Sequence, residues 1–387
     1  MKENTKHDYN AEALLMHAEH HGKIELKNKV PLTNREDLSR AYTPGVAAVC
    51  MAIANAEDQR LAARQYTLKR NTVAIVSDGS AVLGLGNIGP YAAIPVMEGK
   101  AAILKEFADV DAFPICLDTQ DVEEIIKAVK QIAPVFGAIN LEDISAPRCF
   151  EIEERLSAEL DIPVMHDDQW GTATVVLAGL INALKLKGGD INPKIIINGV
   201  GSAGVAVARL LMAYGLTDIL FVDSKGLIHI GRDDINKEKL ELLEKSQAIS
   251  FIGGLADAMC GRDVFIGLSK PGTVTGDMVK SMNANPIVFS LANPVPEIMP
   301  EEAYVAGAFI VATGRSDYPN QLNNSLIFPG LFKGMLDHDV RQFSIDIFMR
   351  AAIALAEYVQ HPTVDAILPS MFDKGLVQII SKSVIKK

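Results

Sequence analysis

The stretch Lys194-Ile195-Ile196-Ile197-Asn198-Gly199-Val200-Gly201-Ser202-Ala203-Gly204 sets an apolar run directly against three glycines in the spacing Gly-x-Gly-x-x-Gly. The run reads as a buried parallel strand, the glycines as a tight turn, and residues 205–214 as the helix that the turn opens. A second strand follows at residues 218–222 and ends in an acid, Asp223, some two dozen positions beyond Gly199. In such a unit the first glycine permits the turn, the second lets backbone approach a pyrophosphate, and the third lets helix and strand pack closely. Ser202 and Ala203 start the helix, whose N-terminal end favours phosphate charge, and the acid accepts hydrogen bonds from ribose hydroxyls. The expectation is a doubly wound α/β unit binding NAD, with NADP as the alternative. Asp223 favours NAD because a carboxylate repels a 2′-phosphate, and Lys225 tempers that choice because it can pair with the phosphate.

Immediately upstream, Ile162-Pro163-Val164-Met165-His166-Asp167-Asp168-Gln169-Trp170-Gly171-Thr172-Ala173 places two adjacent carboxylates between a short apolar strand and a small-residue helix. A second acidic pair, Glu142-Asp143, follows another strand-like run at residues 135–139. Carboxylates gathered at neighbouring strand ends repel one another unless a cation holds them. Oxygen-only ligation of this kind suits Mg²⁺ or Mn²⁺ rather than zinc. Either pair alone reads equally well as a helix cap, and the dinucleotide unit downstream tips the reading toward a metal.

Further residues complete a candidate reacting centre. A second Gly-x-Gly-x-x-Gly, residues 84–89, lacks a following strand that ends in an acid, and reads as a glycine-rich turn lining a site. On the helix at residues 94–107, Lys100 has Val96, Met97, Ile103 and Leu104 three and four positions away, so it points from an apolar face, resists protonation and can serve as a base. Tyr42, in the turn Tyr42-Thr43-Pro44-Gly45, is ambiguous on its own. Asn293 and the pair Asn323-Asn324 lie in strand-end loops, either contacting a ligand carboxylate or amide or simply forming turns.

Length and composition bound the class. At 387 residues with 49% hydrophobic and 22% charged residues, the chain fits two domains with substantial cores. We expect an N-terminal α/β substrate and metal domain over residues 1–160, and a Rossmann-type domain over 161–387 with strands near Ile195, Ile219, Phe251, Val264, Ile287 and Phe309. The helices of residues 342–387 are expected to pack back on the first domain. A first helix at residues 11–21 carries His17, His20 and His21 as surface groups. A net charge of −11 argues against nucleic acid or an anionic membrane as partner. The four cysteines are scattered, without metal spacing. With no leader-like start and no membrane-length apolar run, the expectation is a cytoplasmic protein.

Taken together, Tyr42-Thr43-Pro44-Gly45-Val46-Ala47, residues 82–89, Glu98-Gly99-Lys100, residues 111–118, Asn140-Leu141-Glu142-Asp143, residues 166–173, Asn293-Pro294 and Asn323-Asn324 resemble the malic enzyme family in its short bacterial form, over nearly the whole chain. The resemblance implies oxidative decarboxylation of L-malate to pyruvate and CO₂ with NAD(P)⁺ and Mg²⁺ or Mn²⁺. It implies Glu142, Asp143 and Asp168 as metal ligands, Lys100 as base, Asp167 orienting the lysine, Tyr42 as acid, Asn293 and Asn324 as substrate contacts, and a homodimer or higher oligomer. Two departures stand out. Ala81 occupies the place of an arginine that holds a substrate carboxylate in larger members, leaving Ser80, backbone amides or the asparagines for that task. The sequence is also expected to lack the acyltransferase-like domain of some bacterial relatives. The rival readings are a metal-dependent 2-hydroxy-acid dehydrogenase, an oxaloacetate decarboxylase using the same centre, and a non-catalytic dinucleotide sensor.

Overall fold

The computed structural model describes residues 8–189, 192–248 and 251–386. Two parallel sheets organise the chain. In the first, β1 (Thr72–Ser77), β2 (Asp111–Cys116), β3 (Ala138–Leu141) and β4 (Val164–His166) run parallel in the order β2-β1-β3-β4. The second has the order β10-β9-β8-β5-β6-β7. It comprises β5 (Ile195–Asn198), β6 (Ile219–Asp223), β7 (Gly226–Leu227), β8 (Val264–Gly267), β9 (Ile287–Ser290) and β10 (Ile310–Thr313). Strands β5, β8 and β9 are buried along their whole length, as strands covered by helices on both faces must be. The chain runs from β5 outward through β6 and β7, then returns to the other side of β5 for β8 to β10. This reversal opens a crevice at the carboxyl ends of the strands, where ligands bind in open α/β sheets.

The helices in chain order are α1 (Tyr9–His20), α2 (Arg35–Ala41), α3 (Val46–Ala54), α4 (Gln59–Tyr66), α5 (Gly89–Ala108), α6 (Val122–Ile132), α7 (Arg148–Glu159) and α8 (Asp167–Lys187). They continue as α9 (Ser202–Tyr214), α10 (Lys237–Lys245), α11 (Leu255–Met259), α12 (Gly276–Lys280), α13 (Pro300–Val305), α14 (Phe328–Asp337), α15 (Ile345–Tyr358) and α16 (Leu376–Ser383). Helix α8 joins the two sheets and is buried along most of its length, packed chiefly against α9 and α15.

Three details differ from the sequence reading. Strand β4 lies past residue 160 yet pairs in register with β3 as part of the first sheet. Phe251 belongs to no strand and is exposed, residues 249 and 250 lie outside the described residues, and the additional strand is instead β7, antiparallel to β6. The C-terminal helices α15 and α16 rest mainly on α8, α9 and α14. It is α14 that packs on α5 and β3 of the first sheet, while residues 342–387 reach that half through the Phe372 ring against Phe107 and the Gln342 amide on the Ser157 carbonyl.

Candidate active site

The register Leu141↔His166 between β3 and β4 puts the residues that follow each strand side by side. Glu142 and Asp143 leave the end of β3, and Asp167 and Asp168 form the first turn of α8. Asp143 adopts φ 54°, a left-handed conformation uncommon outside glycine, and its N–H donates to Asp168 Oδ2 at 2.8 Å. Carboxylate oxygens of Glu142, Asp143 and Asp168 all lie within 4.8 Å of one another. Burial, then the charge of Asp168, pushes Glu142 well above the usual carboxylate range, and burial also raises Asp167. Such crowding is relieved by a divalent cation, and an all-oxygen donor set fits Mg²⁺ or Mn²⁺. The residues present therefore suit the metal that the sequence led us to expect.

Lys100 enters from α5. Its Nζ lies 2.8 Å from Glu142 Oε1, hydrogen-bonds Asp167 Oδ2, and sits 4.5 Å from the centre of the Phe328 ring. The side chain is buried, at 8% exposure. The expectation that apolar neighbours would keep it unprotonated needs correction. Burial does push its pKa down, but Asp167, Glu142 and Asp168 outweigh that and hold it above the ordinary lysine value. Helical spacing revealed the apolar neighbours on α5 and not the carboxylates arriving from other elements. Asp167, in turn, takes a 2.6 Å hydrogen bond from Asn324 Nδ2 on the same oxygen that meets the lysine.

These groups open into a cleft of about 360 Å³ bounded by Ala81, Lys100, Glu142, Asp168, Asn293 and Asn324. Gly84 of the second glycine-rich turn also lines it, as expected, and a Cβ there would lie 2.1 Å from the Asn293 carbonyl. Ser202 and Ala203 of the dinucleotide turn close the far side. In that turn, a Cβ on Gly204 would lie 2.0 Å from the Gly199 carbonyl, whereas one on Gly201 would meet nothing within 4 Å. Gly201 thus borders the open space into which a pyrophosphate would fit, and Gly204 permits the close packing of turn and helix. A larger cavity of about 750 Å³, between Glu153, Trp170, Arg209 and Phe343, holds none of the expected site residues.

The other expected residues divide. Asn324 faces Asp167, while Asn323 caps the short turn Asn324–Leu326 by accepting from Ser325 N–H at 2.9 Å. Ser80 is not available for a substrate carboxylate. Its hydroxyl donates to Asp78 Oδ1 at 2.5 Å and accepts from Ser145 N–H at 2.9 Å and Arg148 Nη2 at 3.0 Å, which uses its full capacity. Arg148, which no sequence pattern singled out, also pairs with the buried Asp78 at 3.1 Å and so pins the loop that carries Ala81. Tyr42 is not brought in: it ends α2, is 66% exposed and does not line the cleft. Asp223 ends β6 as expected, but Lys225 turns its ammonium to Asp234 at 2.8 Å.

The family model of the malic enzyme N-terminal domain matches residues 21–157, and that of the malic enzyme NAD binding domain matches residues 170–386. The chain belongs to the malic enzyme family. Among relatives, an NAD-dependent malic enzyme of Geobacillus stearothermophilus is 54% identical, over 94% of this chain and 76% of its own. An NADP-dependent malic enzyme of Rhizobium meliloti is 45% identical, over 97% of this chain and 51% of its own. The crystal structure of an NAD-dependent malic enzyme from Thermotoga maritima superposes with a TM-score of 0.92 at 47% identity, covering 96% of this chain and 98% of that one. The short stretch between the two matches, residues 158–169, holds β4 and the start of α8 with Asp167 and Asp168.

Proposed function

We propose that this cleft performs the family's reaction, oxidative decarboxylation of L-malate to pyruvate and CO₂ with reduction of NAD(P)⁺, and that its residues divide the work as follows. Glu142, Asp143 and Asp168 hold Mg²⁺ or Mn²⁺. When bound, the dication polarises the C2 oxygen of the substrate and takes up the carboxylate charge that otherwise keeps Lys100 protonated. Lys100, held by Asp167, removes the proton of the C2 hydroxyl as hydride passes from C2 to the nicotinamide. Asn324 keeps Asp167 in place by a hydrogen bond to the same oxygen that meets the lysine. Cleavage of the C3–C4 bond releases CO₂, and Tyr42 protonates C3 of the enol of pyruvate. Asn293 and Asn324 contact the substrate carboxylates in place of the arginine absent at Ala81. The observation that carries this reading is the meeting, in one cleft, of three metal-suited carboxylates, a buried lysine and a dinucleotide turn. Malate-dependent reduction of NAD⁺ or NADP⁺ with Mn²⁺, with pyruvate assayed in parallel, tests it; dinucleotide binding without turnover would favour a sensor.

Tyr42 is assigned to the site of a second copy. Neither α1 nor α3 contains a buried residue, although α3 is apolar on every side, and Leu14, Leu26 and Met51 are 74%, 83% and 55% exposed. A helix apolar all round belongs in an interior, and a homodimer exchanging residues 9–54 supplies one. Mixing Tyr42→Phe and Lys100→Ala chains tests the arrangement. Exchange across a two-fold axis restores one native site per mixed dimer, about a quarter of native activity in a random mixture, whereas action within one chain restores none. We place the domain junction at α8. No helix among the described residues is long and apolar enough to cross a membrane, and we assign the protein to the cytoplasm.

A further inference from the structure

Asp223 has no acceptor position left for a ribose hydroxyl. Its Oδ1 accepts from the Lys225 backbone N–H at 3.0 Å and from Arg232 Nη1 at 2.8 Å. Its Oδ2 accepts from Arg232 Nη2 at 3.0 Å and Lys239 Nζ at 2.7 Å. A carboxylate offers about four lone-pair sites, so these four donors fill it. The β6–β7 hairpin, paired at Asp223↔Gly226, folds the following loop back so that Arg232 returns to the end of β6. Asn236 then caps α10 and sets Lys239 in its first turn.

The two cations differ in how firmly they are held. Arg232 is anchored on its other edge by Asp234, through Nε at 2.9 Å and Nη2 at 2.8 Å. Among the described residues, the Lys239 ammonium bonds to Asp223 alone, on a long flexible stem. With Lys225 paired to Asp234, the cluster comprises three cations and two carboxylates, an excess of one positive charge. That is the opposite of what an acid at this position ordinarily signals, since the repulsion that excludes a 2′-phosphate is already neutralised.

We propose that Arg232 and Lys239 are the residues that set cofactor choice in this chain, and that they open its adenosine-ribose site to the 2′-phosphate of NADP⁺ as well as to the free hydroxyls of NAD⁺. The proposal rests on the reading of Gly199, Gly201, Gly204 and Asp223 as the dinucleotide site. Lys239 is the movable member. Turned outward, it frees an acceptor of Asp223 for a ribose hydroxyl; turned toward a 2′-phosphate, its ammonium supplies charge-assisted donors to the phosphate oxygens, while Arg232, whose guanidinium is engaged by Asp223, Asp234 and the Gly226 carbonyl, keeps the charge of Asp223 neutralised beside it.

Calorimetric titration of the full chain with NAD⁺ and with NADP⁺, without substrate or metal, reads the proposal directly. The native chain is expected to bind both with dissociation constants within about tenfold of each other. In Lys239→Met and in Arg232→Gln, the ratio of the NADP⁺ to the NAD⁺ constant should rise at least about tenfold, the worth of a charged hydrogen bond. Raising the salt concentration should weaken NADP⁺ more than NAD⁺ in the native chain, and this difference should shrink in both variants. Lys239 lies on a helix surface, so Lys239→Met keeps the test informative if Arg232→Gln destabilises the loop. A native preference for NAD⁺ above about a hundredfold, or a ratio that neither variant moves, would overturn the assignment. Failure of the native chain to bind either dinucleotide would instead remove the site itself and the proposal with it.

Discussion

Gly171 and Asp167 lie one turn apart on α8, and a Cβ on Gly171 would stand 2.0 Å from Asp167 Oδ1. The missing side chain is what lets the carboxylate fold back along its own helix while its other oxygen meets Lys100 and Asn324. Gly171→Ala must push Asp167 toward the lysine or out of line with it. Helix propensity favours alanine by about 1 kcal/mol, so fold stability should change little while kcat falls at least about a hundredfold, as for a misplaced proton-transfer group. Turnover within about threefold of native would show that the position of Asp167 does not matter.

Lys100 is the cation that faces Glu142 and Asp167 from α5, and its loss should be felt twice. Lys100→Ala should retain less than about a hundredth of the native rate with dinucleotide binding preserved. In the presence of a chelator the variant should also be less stable by about 3 kcal/mol, because buried carboxylates lose their counter-charge. Mn²⁺ should therefore raise the melting temperature of the variant more than that of the native chain. Equal shifts would mean that metal and lysine do not share the same carboxylates.

Asp168→Asn keeps an acceptor for the Asp143 N–H but removes one negative charge from the ligand set. The Mn²⁺ concentration for half-maximal activity should rise more than about tenfold, since hard cations bind through carboxylate charge. An unchanged requirement would contradict the ligand assignment, as would stimulation by zinc in place of Mg²⁺ or Mn²⁺.

Glu153 offers a pH test away from the reacting centre. It accepts hydrogen bonds from the His166 N–H at 2.7 Å, Gln169 Nε2 at 3.1 Å and Trp170 Nε1 at 3.2 Å, yet burial raises its pKa to about 7. A carboxyl group whose folded pKa exceeds its unfolded value stabilises the fold most below the unfolded value, near pH 4.5, and that contribution is lost as the pH rises toward 7. Glu153→Gln cannot ionise. Relative to its own stability at pH 5, the variant should therefore lose less than the native chain by pH 8, the gap being about 2 kcal/mol. Parallel denaturation curves at the two pH values would refute the raised pKa.

What could be read in the sequence was whatever the local backbone dictates. Gly199, Gly201 and Gly204 announce their turn by their spacing, and at Gly199 and Gly204 only glycine permits the close approaches of the backbone; the two acidic pairs announce themselves because each follows a recognisable strand. Their convergence depends on the pairing of β3 with β4, which the αβ alternation implied without giving the register. Arg148, Arg232 and Lys239 were not legible: each is a cation in a loop or on a helix whose partner lies on another element, and nothing in its neighbours marks it. The charge state of Lys100 escaped for the same reason. Tyr42 shows a different limit, since an apolar helix such as α3 that buries nothing within its own chain cannot be placed by reading that chain alone.

Helix α8 begins at Asp167 and Asp168 and continues for 21 residues, about 30 Å at the usual rise. Toward its far end Lys187 is tied to Asp263, beside β8 of the second sheet. Its close neighbour α9 begins at the turn awaiting the pyrophosphate. Two helices packed together therefore start, one at the carboxylates assigned to the cation and the other at the turn assigned to the dinucleotide. Whatever advantage a bound dinucleotide gives the metal, the metal must return in equal measure to the dinucleotide.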